Sequence, residues 1–74
     1  MVERLSAEPQ LLETLQVYLE LRQHRKAVAC KLNVHPNTLD NRLQRIETVL
    51  GGRFDNVSWL AMLDAALRLR RHGT

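Results

Sequence analysis

The sequence predicts an all-α fold, a four-helix domain with a central helix-turn-helix. Three observations predict it. Apolar residues recur at three- and four-residue spacing in successive segments, as helices that bury one face require. No stretch alternates apolar and polar residues cleanly, and no hairpin dipeptide joins two β-branched runs. The second and third helical segments are separated only by Asn33 to His35, so they must cross steeply through a tight turn.

Each element follows from local chemistry. Residues 1–8, MVERLSAE, lack a clear period and read as a flexible lead-in to a helix-turn-helix domain over residues 9–74. The first helix is expected from Pro9 to Arg22, because proline suits a first helical position, where its missing N–H costs nothing. Leu11, Leu12, Leu15, Tyr18 and Leu19 form its apolar face, with Val17 and Leu21 on the other side. Gln23-His24-Arg25 breaks the pattern. A short second helix, Lys26 to Leu32, turns Val28, Ala29 and Leu32 inward. Asn33 tolerates the left-handed backbone that ends it, and Val34 plugs the turn. The third helix is capped by His35, starts at Pro36 and runs to Leu50, where Gly51 and Gly52 stop it. Its inward row is Leu39, Leu43, Ile46 and Leu50, packed with Leu15, Leu32 and Leu63. After a loop over Gly51 to Asn56, a fourth helix covers Val57 to Arg71.

Composition narrows the function. A chain of 74 residues holds one domain, and 45% apolar residues suffice to fold it. With Tyr18, Phe54 and Trp59 as its only aromatics, the core must be mainly aliphatic. A single cysteine, Cys30, read as semi-buried, excludes an internal disulfide and a cysteine-cluster zinc site. His24, His35 and His72 are too scattered for a metal site, and no cofactor is expected. No grouping of nucleophile and base, or of paired carboxylates, suggests an enzyme. No apolar run is long enough to span a bilayer and no segment resembles a signal peptide, so a cytoplasmic protein is expected. The net charge of +3 permits a polyanionic partner.

The informative stretch is Lys26 to Arg45. Ala29 is small where the two helices approach closest, Asn33 follows four places later, Val34 is the plug, and Leu39 and Leu43 anchor the next helix. That spacing is what a DNA-binding helix-turn-helix requires, although an ordinary helical hairpin uses the same grammar. The outer face of the third helix favours DNA. Opposite its inward row lie Asn37, Asn41, Gln44 and Thr48, with Thr38 and Arg45 on one edge and Asp40 on the other. A solvated face usually carries Glu and Lys, whereas amides edged by an arginine suit base edges in a major groove. Arg25 and Lys26, at the second helix, are candidate phosphate contacts or serve solubility alone, and His35 is a cap or a phosphate contact. The rival reading is a protein-interaction or oligomerisation module of the same shape, favoured if Asn37, Asn41 and Arg45 met an acidic or apolar surface.

Val34-His35-Pro36-Asn37-Thr38-Leu39, followed by Arg42-Leu43 and Arg45-Ile46-Glu47, resembles the C-terminal helix-turn-helix domain of PucR/CdaR-type bacterial transcriptional regulators. The likeness extends to Leu11 to Glu20 before the motif, and to Gly52-Arg53 and Leu60 to Leu69 after it. It implies a regulator whose other regions sense a metabolite, a third helix that reads double-stranded DNA, and Arg42 among the DNA-binding residues. Asn41 stands where such domains commonly have tyrosine, Asp40 where arginine is frequent, and Asn33 where glycine or histidine is more usual. The first two departures remove stacking surface and positive charge, and so imply weak DNA affinity for the domain alone.

The fourth helix has more apolar surface than one small domain can cover. Asp64, Arg68 and Arg71 occupy a narrow stripe, with Arg70 apart, and nearly everything else is apolar. The surplus, Met62, Ala65 and Leu69 above all, points to a homodimer through this helix or to docking on a missing regulatory domain.

Overall fold

The computed structural model describes residues 2–72, with side chains described for residues 2–70. A 3-10 turn, Val2–Leu5, leads into four helices: α1 (Pro9–Glu20), α2 (Arg25–Leu32), α3 (Pro36–Leu50) and α4 (Val57–His72). No strand occurs among the described residues.

Helices α1, α2 and α3 pack on one another in all three pairings. Leu11, Leu15 and Tyr18 of α1 meet Val28 and Ala29 of α2 and Leu39, Leu43, Ile46 and Leu50 of α3 in one buried cluster. Helix α4 completes it with Leu63 and Leu67. Of the expected core, Leu15, Leu39, Leu43, Ile46 and Leu63 are buried, while Leu32 is only half-buried. Val17, expected off the apolar face, is buried in the same cluster.

The lead-in differs from expectation. Val2 and Leu5 are buried, and the 3-10 turn that carries them touches α1, α3 and α4. Four residues are too few to show a helical period, yet spacing Val2 and Leu5 three apart puts both on one side of a 3-10 turn. The turn thus fills the space between the three-helix core and α4.

Helix α1 stops two residues before the expected Arg22. Arg22 and Gln23 both take left-handed backbone, at φ 55° and 65°. The Gln23 N–H donates to the Tyr18 carbonyl at 2.7 Å and the Arg22 N–H to that of Leu19 at 3.1 Å. These bonds satisfy carbonyls at the helix end and offset the cost of the conformation.

The loop before α4 is packed. Phe54 is buried and stands edge-on to Tyr18 at 5.0 Å between centroids and to Trp59 at 5.3 Å. Gly51 ends α3 at φ 74°, and a Cβ on Gly52 would collide with the Trp59 indole. The Asn56 side chain accepts the Trp59 N–H at 3.0 Å and so starts α4.

Candidate nucleic-acid interface

Helices α2 and α3 both begin on a histidine. His24 Nδ1 accepts the Ala27 N–H at 3.1 Å, and His35 Nδ1 accepts the Asn37 N–H at 3.0 Å. Each ring therefore takes the place of the usual Ser or Asp cap, with its ring hydrogen on Nε2. Between the two helices Asn33 adopts φ 57° and ψ 47°, the left-handed turn expected of it. The Val34 N–H returns to the Ala29 carbonyl at 3.0 Å, which closes the turn over the small Ala29. Replacing His35 by alanine should cost about 1 kcal/mol, the ordinary value of a lost cap, and asparagine should restore most of it. Urea unfolding midpoints check this; an alanine variant as stable as the parent would show that the imidazole bond contributes nothing.

The buried row of α3 fixes what its other side shows. With Leu39, Leu43 and Ile46 inward, Asn37, Thr38, Asn41, Gln44, Arg45 and Thr48 are exposed. Asn37, Asn41 and Gln44 follow one another at helical spacing along one outer strip. Lys26 is exposed at the start of α2 and makes no ion pair among the described residues.

Two of the candidate arginines are held by carboxylates. Arg25 Nη1 donates to Asp40 Oδ1 at 2.8 Å, joining α2 to α3 across the turn. Arg45 Nη2 donates to Glu8 Oε2 at 3.3 Å, joining α3 to the residue before α1. Both pairs are solvent-exposed, and such pairs contribute no more than about 1 kcal/mol. The charge beside Asn37 and Asn41 is therefore balanced rather than strongly basic. Sequence spacing placed Asp40 and Arg25 on an edge and at the second helix without showing that they meet.

Arg42 differs from its neighbours. It is half-buried, and its Nη1 donates to Thr14 Oγ1 at 3.3 Å. The Thr14 hydroxyl, fully buried in α1, donates in turn to the Gln10 carbonyl at 2.6 Å. Arg42 thus braces α3 against α1 and stands apart from the amide strip. Glu47 is a second internal brace: its Oε2 accepts the Phe54 N–H at 2.8 Å, and Arg53 Nε lies 3.8 Å away. Nothing in linear spacing marks Thr14 or Glu47, although a hydroxyl amid the leucines of α1 is the one available hint. Cys30, expected to be semi-buried, is exposed, because Val28 and Ala29 take the inward positions of this two-turn helix.

A short helix capped on histidine, a left-handed asparagine turn and a second capped helix held outward by its leucines define a helix-turn-helix domain. The family model of the PucR C-terminal helix-turn-helix domain matches residues 11–69, and the chain belongs to that family, whose business is DNA binding in transcriptional regulation. Over 71 residues it is 35% identical to the purine catabolism regulatory protein of Bacillus subtilis (strain 168). That alignment covers 96% of this chain and 13% of the relative, so the chain spans a small part of that regulator's length. No solved structure matches the chain. None of the helices among the described residues is long and apolar enough to cross a membrane.

Proposed function

We propose that this domain binds a specific double-stranded DNA sequence through α3, as the DNA-reading part of a larger, metabolite-responsive regulator. The observation that carries the reading is the exposed strip Asn37, Asn41 and Gln44, held opposite the buried row Leu39, Leu43 and Ile46. Amides offer a donor and an acceptor together, the pair that adenine presents in the major groove. Thr38 and Arg45, on the edge of the strip, are assigned to phosphates. Lys26, Arg25 and the rim at His35 belong to the same set, since the first helix of such a motif crosses the DNA backbone. Arg25 and Arg45 would exchange Asp40 and Glu8 for phosphate oxygens, a small cost for pairs this exposed. Arg42 contributes by holding α3 in place. The metabolite response rests on likeness to the family and on the larger size of the purine catabolism regulator.

The test separates base contacts from phosphate contacts. Asn41→Ala should cost about 1–3 kcal/mol on the preferred duplex and little on a scrambled one. Arg45→Ala should weaken binding to both and lower the salt slope by about one. Titrations of each variant against both duplexes at two salt concentrations resolve the two patterns. If neither substitution changes either affinity, α3 does not read DNA.

A further inference from the structure

Helix α4 uses Leu63 and Leu67 to reach the core and leaves its opposite side in solvent. Val57, Met62 and Leu69 are 80%, 56% and 73% exposed, and Ser58, Ala61 and Ala65 are exposed with them. At about 100° per residue, Ala61 and Ala65 form the midline of this face, with Val57 and Leu69 flanking it near its two ends.

Four of the exposed apolar positions of α4 are placed symmetrically along the helix. Positions 57 and 69, and positions 61 and 65, stand at equal distances on either side of Leu63. A two-fold contact needs a surface complementary to itself, and this arrangement satisfies that with one helix. We propose that α4 is the contact between two copies of this chain, packed antiparallel about a two-fold axis level with Leu63. In that register Val57 of one protomer is level with the partner's Leu69, and Ala61 is level with the partner's Ala65. The alanines at the midline let the helix axes come close, and the large side chains at the ends cover one another. Charge argues for a second copy over a charged partner. Arg68 stands on this face, about 40° from its midline and level with the partner's Ser58; its pairing with Asp64 at 3.2 Å balances its charge, and Arg70 lies off the face. The proposal goes beyond the DNA-reading assignment and does not depend on it.

The 74-residue chain should show a rising average mass, from one chain toward two, in sedimentation equilibrium between micromolar and millimolar concentration. Ala65→Arg and, separately, Leu69→Glu should hold the mass at one chain while the far-ultraviolet circular dichroism stays that of the parent. Register is read by crosslinking in a Cys30→Ser background, which removes the exposed native thiol. The double variant Ala61→Cys with Ala65→Cys should oxidise to a covalent dimer, and each single variant should do so far less, because only unlike positions are level. A parent that stays a monomer throughout overturns the proposal, as does a dimer that survives both charged substitutions. Equal crosslinking by either single variant overturns the antiparallel register about Leu63.

Discussion

Replacing Leu43 by alanine should destabilise the domain by about 2–5 kcal/mol, the range found when a large buried side chain is truncated and its cavity cannot close. Leu43 is buried in the core cluster that α3 shares with α1 and α2, one turn from Leu39 and one turn from Ile46. At about 4–8 °C per kcal/mol for a domain of this size, the melting temperature should fall by more than about 8 °C. Total stabilities of small domains are only about 5–15 kcal/mol, so the variant will be partly unfolded if the parent is at the low end. Leu43→Met is the companion measurement: similar volume without a cavity should cost less than about 1.5 kcal/mol. A loss below about 1 kcal/mol for the alanine variant would place Leu43 at the periphery and shift the inward row of α3.

Gly52→Ala should cost about 3 kcal/mol, the upper end of what overpacking a filled site does. The reason is spatial. The added methyl would occupy the place of the Trp59 indole. That ring stands against Phe54, and Phe54 against Tyr18, so moving it disturbs the aromatic packing that ties the start of α4 through the loop to α1. Gly51→Ala is the contrast. Nothing lies near its missing side chain, and only its φ of 74° penalises a Cβ, at about 1–2 kcal/mol. Thermal unfolding followed by Trp59 fluorescence compares the two, and the native emission of Gly52→Ala should shift as the indole is displaced. Equal costs, or an unshifted spectrum, would show that Trp59 has another place to go.

The aliphatic frame was legible because it is periodic. Leu39, Leu43, Ile46 and Leu50 repeat at helical spacing over about three turns, and the proline and glycines that bound α3 are strong local signals. Asn33 was legible for the same kind of reason, since few residues accept its backbone. Features that arise from meetings between distant residues were not legible. Val2 and Leu5 carry no period long enough to read, and their burial depends on a gap that exists only once α1, α3 and α4 are in place. Phe54 sat in a loop that spacing arguments treat as solvent-facing. Of the candidate site, the outer strip of α3 could be drawn from a helical wheel alone. Asp40 with Arg25, Glu8 with Arg45, and Arg42 with Thr14 are 15, 37 and 28 residues apart, beyond any local rule.

The brace between Arg42 and Thr14, together with the bond from Glu47 to the Phe54 amide, divides the labour of α3 between its two sides. What aims the helix is inward or at its flanks, and the side chains of the outer strip Asn37, Asn41 and Gln44 make no bond that holds the fold. The displayed residues can therefore be exchanged one at a time without re-aiming the helix. In a lineage of such domains this strip is free to drift letter by letter while the frame stays still, and an engineer has the same liberty: a library over Asn37, Asn41 and Gln44 should consist almost entirely of folded proteins.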